Sequence, residues 1–310
     1  MAETMRAMTY DTYGGPEVLH LTDLALPKVG PGEVLVRVRA AAVNPVDWKL
    51  MRGGLDALMD VRFPVVPGWD VAGVVERVGI DVPEYTVGDE VFGYARKDYL
   101  HGGTMAQYVT LAVRHLAHRP AGLSWPEAAA VPLAGLTAYQ VLTRLGLRGG
   151  ETVLIHNASG GVGSAAVQIA HDLGARVLGS CSAASADRVR TLGAEPVTYG
   201  AGLAEAVRAL VPAGVDVVAD FVGGVLDVTR AVLTDGGRHA SIADPGVLTA
   251  GGQWIWVRPD ADDLTTLATM LAESRLRVEV ADTFPLEQLA EAFRRSMAGH
   301  VHGKIVVTVD

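Results

Sequence analysis

The chain of 310 residues contains a single cysteine, Cys181. That excludes an intramolecular disulfide framework and any zinc site built on several thiolates. Also missing is a run of about 20 uninterrupted apolar residues, the length a membrane-spanning helix needs. The hydrophobic residues are instead spread along the chain. No Lys/Arg cluster stands out against a formal charge of −9, so nucleic acid and anionic membranes are poor partners. The amino-terminal MAETMRAMTY lacks an apolar run with a small-residue cleavage site, and the closing IVVTVD carries no lipidation or retention signal. These features give the expectation of a cytoplasmic globular protein, long enough for two domains with cores of their own.

The first third reads as strands broken by Gly and Pro turns. MRAMTY, VLHLTDL and EVLVRVRAAAV are short β-branched runs, separated by YGGPE and PKVGPG, and VAGVVERVG and TVGDEVFGY continue them. Near Leu123 the texture changes. Ser124 and Glu127 stand three apart before an alanine-rich run, the spacing of a capping box with a proline in the first turn. Pro132 should interrupt that helix, with a second one carrying GLTAYQVLTRLG. From Glu151 strands alternate with helices: ETVLIH, ARVLGSC, EPVTY, DVVADFV and GRHASI are strands, and the segments between them have helical spacing. That alternation predicts a parallel, doubly wound sheet. The tail is expected to give a strand near Leu276–Val280, a helix through PLEQLAEAFRRSM and a last strand KIVVTV. A β-rich start and a short α/β end around this middle predict a domain made of residues 1–123 and 276–310, split by a second of residues 124–275.

The most specific local signal is HNASGGVG, between a strand and a helix. Ala158, Gly160 and Gly163 occupy the three small positions of a dinucleotide fingerprint, with Ser159, Gly161 and Val162 between them. Such a loop needs a tight turn, a backbone bare enough to meet a pyrophosphate and close helix–strand contact, and the helix N-terminus adds free N–H groups for the anion. An NAD-preferring site would carry Asp or Glu at the tip of the second strand. Here the tip reads SCSAAS, with no acid before Asp187. Ser182 and Ser185 are neutral and Arg188 is positive, which favours NADPH; the same serines also suit helix caps.

These segments, taken with YDTYGGPEVL, GPGEVLVRVRAAAVNPVDWK, PGWDVAGVVERVG, AAAVPLAGLTAYQ, DFVGG and HGKIVV, resemble the zinc-independent quinone oxidoreductase branch of the medium-chain dehydrogenase/reductase superfamily. The resemblance runs from Met5 to Val309. It implies an α/β protein with a GroES-like, β-rich catalytic domain from both chain ends and a Rossmann domain between them. It also implies NADPH as cofactor and a homodimer. Zinc-dependent alcohol dehydrogenases of the same fold have a cysteine where this chain has Asn44 and a histidine where it has Trp69. Zinc needs three protein ligands with a fourth position open, so the expectation is no metal, with His101, His115 and His118 read as ordinary surface or partly buried residues. The resemblance places Asn44 near the nicotinamide and Thr137 near the phosphates or nicotinamide ribose. Tyr199 is placed against the 2′-phosphate, and Phe221, Gly223 and the loop after Ile242 along the cofactor. A second reading of Tyr199, as a ring packed on the sheet, stands beside this one. The family's usual basic residue after the second strand is replaced by Ala183, Ala184 and Ser185.

The activity so implied is hydride transfer to a quinone or an α,β-unsaturated ketone. Negative charge then gathers on the carbonyl oxygen, and a preorganised donor is the usual large stabilising effect. Lys49 is the candidate donor; a solvated charge or an ion pair with Asp47 is the other reading. Trp69, Tyr94, Trp254 and Trp256 are either substrate walls or core. Two further readings stay open: a pathway-specific enoyl or cyclising reductase, and an NADPH-binding sensor or structural protein with little turnover.

Overall fold

A computed structural model describes residues 3–310. They form two compact units. One comprises the residues up to Leu133 with Arg258–Glu273 and Val278–Asp310, and the other Ala134–Val257 with Ser274–Arg277.

The first unit is built on the long strand Glu33–Val43. Val34–Val36 are buried in succession, Val36–Ala40 alternates with the half-buried Arg37 and Arg39, and Ala40–Val43 is buried throughout. The alanines leave room for the helix Trp125–Ala129, which packs on this strand and on Asp70–Val78. A seven-stranded sheet runs Val280–Pro285, Lys304–Thr308, Glu33–Val43, Asp70–Val78, Glu90–Tyr94 and Leu116–His118, and Tyr108–Ala112 adds to Glu33–Val43. The chain's last strand therefore pairs with an early one, Ile305 opposite Val43, within one sheet. The capping box at Ser124 forms: Ser124 N donates to Glu127 Oε2 at 2.9 Å. The next helix, Pro132–Arg144, starts at the proline that stops its predecessor.

This unit also takes in residues 124–133 and 258–273, which lie on the other side of the expected boundaries. The physical reason is packing, since Trp125–Ala129 covers the sheet and the helix Ala261–Ala272 packs against Leu116–His118. The tail differs too. The strand expected near Leu276–Val280 forms instead at Val280–Pro285, because Arg277 spends its N–H and C=O on the Gln168 side chain at 2.9 and 3.0 Å.

The second unit is an all-parallel sheet in the order Glu195–Thr198, Arg176–Cys181, Thr152–His156, Val215–Asp220, Leu233–Ser241, Gln253–Trp254. Counted along the chain this is 3-2-1-4-5-6, the doubly wound order whose direction reverses between the first and fourth strands. Its core includes Leu154, Leu178, Val197, Leu203, Val207, Val215, Val218 and Val232, all nearly inaccessible. Each such side chain contributes roughly 1.5–3 kcal/mol by leaving water, which fixes the strand ends on which the loops depend.

Candidate functional site

In the β-rich unit, Asn44 ends the strand Glu33–Val43 and starts the helix Pro45–Met51. The N-x-x-D spacing with proline at the first helical position fits a helix start, and Asp47 Oδ2 accepts from the Asn44 backbone N–H at 2.8 Å. The Asn44 side chain turns into the protein. Its Nδ2 donates to Asp70 Oδ2 at 2.8 Å, and its Oδ1 accepts from Lys304 Nζ. Lys304 also reaches Val43 O at 3.3 Å and lies 3.7 Å from Asp70 Oδ2. Asp70 Oδ1 accepts from Leu133 N at 2.7 Å. Asn44, Asp47, Asp70 and Lys304 are all buried.

Two carboxyls against one ammonium leave this cluster with an imbalance. Burial pushes Asp47 up to about 7, with the Asp70 charge adding and the Asn44 N–H opposing. Burial also raises Asp70 and lowers Lys304, while the attraction between those two favours their ionised forms. The arrangement that balances charge is an ionised Asp70–Lys304 pair bridged by the Asn44 amide, with the spare proton on Asp47. Asp47 Oδ1 has no hydrogen-bond partner among the described residues. Asp47 lines a cavity of about 20 Å³, room for roughly one water. Asp47, Asp70 and Lys304 lie inside NPVDWK, PGWD and HGKIVV, segments that carry the resemblance, but none was read as a site residue; an acid closing the N-x-x-D turn and charges opening two strands were the available signals.

Lys49 is exposed on the same helix, its Nζ 5.7 Å from the Trp48 ring centroid. Asp47 faces the interior, and its cationic neighbour is Lys304 rather than Lys49. Trp69 and Tyr94 are buried and meet edge to face at 6.0 Å, so both are core, with Trp69 also bordering the small cavity. His115 is buried, with burial pushing its pKa down to about 4. His118 lies on Tyr85 and His101 Nδ1 on Arg62 O.

In the α/β unit, Thr152–His156 runs into the glycine loop. Asn157 takes a left-handed φ of 58°, and its N–H is held by Ser180 Oγ at 3.2 Å. Ala158 N donates to Ser180 O at 3.0 Å. The helix Gly161–Asp172 follows with Gly160 as its cap residue and no side-chain cap. Its first N–H groups are therefore left for a ligand. A Cβ on Gly163 would lie 2.0 Å from Asn157 O, so helix and strand end meet backbone to backbone. That is the cradle a dinucleotide needs, and the residues present fit one.

The other expected cofactor residues lie on the loops at the carboxyl ends of these strands or in the helix Pro132–Arg144. The hydroxyls of Ser182 and Ser185 bond each other at 2.9 Å, and neither side chain caps a helix. Arg188 is half-buried on the helix Ala186–Thr191. Tyr199 N donates to Cys181 O at 3.1 Å, which sets Tyr199 beside the Ser182 tip. The residue is 60% exposed, which does not match a ring packed on the sheet. Asp220 gathers the next loop, a role sequence reading missed. Its Oδ1 accepts from Val222 N and Gly223 N at 2.8 and 2.9 Å, and its Oδ2 from Ser241 Oγ at 2.7 Å. Ile242 N donates to Asp220 O, so Phe221, Gly223 and Ile242 are tied together. Thr137 is buried on the helix Pro132–Arg144, while Trp254 is exposed and Trp256 half-buried.

Residues 30–121 match the alcohol dehydrogenase GroES-like domain family, and residues 192–307 the zinc-binding dehydrogenase family. The metal in the second name does not fit this chain. Asn44 is committed to Asp70 and Lys304, and Trp69 offers no ligand. No three His, Cys, Asp or Glu side chains gather as a metal set among the described residues. The chain is 35% identical to an NADPH-dependent alkenal/one oxidoreductase of Arabidopsis thaliana, over 98% of this chain and 79% of that protein. It is 32% identical to a quinone oxidoreductase of Triphysaria versicolor, over 98% of both. The structure of a quinone oxidoreductase from Coxiella burnetii superposes with a TM-score of 0.88 at 30% identity, covering 99% of this chain and all of that one. No helix among the described residues is long and apolar enough to cross a membrane.

Proposed function

The chain belongs to the medium-chain dehydrogenase/reductase superfamily, in its quinone and alkenal/one oxidoreductase branch, and from that membership we propose that it is a zinc-independent, NADPH-dependent reductase of quinones and α,β-unsaturated ketones. The observation that carries this reading is the glycine cradle with a neutral second-strand tip. Gly160 and Gly163 let the helix start sit close against the end of the strand, so that a pyrophosphate would meet the N–H groups of an uncapped helix end. Ser182, Arg188 and Tyr199 at the neighbouring strand ends offer hydroxyls and a cation to a 2′-phosphate, with the buried Ser185 hydroxyl holding Ser182 from behind and no acid between Cys181 and Asp187. Thr137, Phe221, Gly223 and Ile242 complete the cofactor set.

NADPH, when held by this cradle, would supply the hydride. The protein's part is to orient the acceptor and to meet the charge that develops on its oxygen. Asn44 and Lys49 take these roles, Asn44 as a fixed amide and Lys49 as an exposed ammonium at the helix surface. Lys49→Met is expected to lower kcat for an enone by about 10²-fold, the size seen when one oxyanion donor is lost, with NADPH affinity unchanged. An unaltered kcat would make Lys49 an ordinary surface charge.

The reaction itself is tested by following NADPH oxidation by absorbance against a panel of quinones and short enones, with NADH in parallel and a chelator in a further tube. The expected result is chelator-insensitive turnover that prefers NADPH. Binding of NADPH without oxidation by any member of the panel would overturn the general reductase and favour a dedicated substrate or a non-catalytic role.

A further inference from the structure

Lys304 opens the closing strand Lys304–Thr308, a place where an apolar residue would complete the β ladder as well. It is instead a buried ammonium directed at the Asn44 side chain and the Val43 carbonyl. An ammonium only donates and a carboxylate only accepts. Lys304 on one end of the amide therefore makes that end Oδ1, and Asp70 on the other makes it Nδ2. A flipped amide would set donor against donor and acceptor against acceptor in a buried site, where each lost partner is costly. Once both bonds are made, the second hydrogen on Nδ2 is the donor the Asn44 side chain has left.

We propose that Lys304 is a positioning residue that acts through Asn44: with Asp70 it locks the amide so that the second Nδ2–H is offered to a carbonyl oxygen of the bound cofactor or substrate. The inference rests on the reductase reading, in which Asn44 serves the reacting pair. It adds a residue 260 positions away from Asn44 in sequence, brought to it by the pairing of Ile305 with Val43. The amide works as a rigid donor because its partners are charged, buried and on two different strands. A solvated asparagine at the same place would populate both orientations.

The test is a double-mutant cycle on the full chain, Lys304→Met and Asn44→Ala singly and together. NADPH affinity is read by fluorescence titration, kcat and KM with an enone, and folding by thermal melting. Lys304→Met is expected to lower kcat/KM by about 10²-fold, the scale of a group misplaced by an ångström, and to cost nothing further once Asn44 is already alanine. Lys304→Arg, which keeps the charge and the donors, should recover part of the loss. A weakened NADPH affinity assigns the oxygen to the nicotinamide carboxamide; an unchanged affinity with altered kcat and KM assigns it to the substrate.

Should Lys304→Met not fold, Asp70→Asn reads the same point. It leaves Lys304 opposite Asp47 with charge balanced, and leaves one acceptor oxygen for the two donors, Asn44 Nδ2–H and Leu133 N–H, that Asp70 now satisfies. A loss of activity in Asp70→Asn that vanishes in the Asn44→Ala background supports the proposal. Losses that add in full to those of Asn44→Ala, or folded variants with wild-type kinetics and affinity, overturn it. A wild-type chain that binds NADPH and reduces nothing sinks the reductase reading alone. The same cycle read in NADPH affinity then decides the positioning role, non-additive losses supporting it and additive or absent ones overturning it.

Discussion

Asp47→Asn is expected to remove a large downward slope in stability as pH rises from about 4 to about 7. In the folded protein, burial lifts the Asp47 carboxyl from 3.8 to about 7, with the neighbouring Asp70 charge adding to the effect. The unfolded chain titrates near the ordinary value, so between these limits the native state holds a proton that the unfolded state has lost. The stabilisation linked to that proton is complete below about pH 4 and disappears as pH passes through about 7. At about 1.4 kcal/mol per tenfold change in proton concentration, the swing is roughly 4 kcal/mol. Burial raises Asp70 in the same direction, so part of the slope persists in the variant. Lys304 faces the site from the closing strand, and the phenols of Tyr10 and Tyr94 border it, both raised by burial. Surface carboxylates such as Glu151 and Glu195 are held low by Arg238 and Arg176 and slope the other way. The informative quantity is therefore the difference between variant and wild type.

An asparagine at position 47 still accepts from the Asn44 N–H, so the helix start is kept. Urea unfolding of both proteins from pH 4.5 to 8 should show the variant gaining on the wild type steadily as pH rises. Parallel curves would mean that Asp47 is ionised throughout and that the cluster carries a buried net charge.

The cluster also shows what the sequence disclosed and what it hid. Strands such as Glu33–Val43 and Thr152–His156, and helices such as Gly161–Asp172, announce themselves through local period, turn residues and caps. The glycine loop is legible for the same reason, since its small residues fall within eight consecutive positions, although Ser180 of the next strand holds its Asn157 and Ala158 N–H groups. Asn44 was found through resemblance, but its partners Asp70 and Lys304 were not. Each is a charge at the first position of a strand, Asp70–Val78 or Lys304–Thr308, and only the pairing of distant strands gives it meaning. Helix Ala261–Ala272 was missed although Leu264, Leu267 and Leu271 fall on one face behind the Asp260 cap. Its burial against Leu116–His118 is a tertiary fact. The shifted strand near Val280 likewise turns on one side chain, Gln168, competing for the backbone of Arg277.

Gly163→Ala sets two effects of opposite sign against each other, and their sizes decide the outcome. Gly163 lies in the first turn of the helix Gly161–Asp172, where alanine in place of glycine gains up to about 1 kcal/mol of helix propensity. Against that, the added Cβ would sit 2.0 Å from Asn157 O, 2.8 Å from Asn157 C and 2.9 Å from Ala158 Cα. All three atoms are backbone, so no side chain can swing away. Either the helix start or the end of the strand Thr152–His156 must move by more than an ångström. Overpacking of this kind typically costs about 1–3 kcal/mol, which cancels the propensity gain and more. The displacement also falls on the N–H groups offered to the cofactor phosphates. NADPH affinity is accordingly expected to fall by about 10²-fold or more, the scale of a misplaced binding group, alongside a lower melting temperature. Gly160→Ala makes the contrast, because its Cβ would meet the far end of the Asn157 side chain at 2.6 Å, and that amide can rotate. Fluorescence titration with NADPH should rank wild type first, Gly160→Ala close behind and Gly163→Ala far below. If Gly163→Ala melts like the wild type and binds NADPH equally well, the close backbone approach is not what shapes this loop, and the cradle must be looked for elsewhere on the sheet edge.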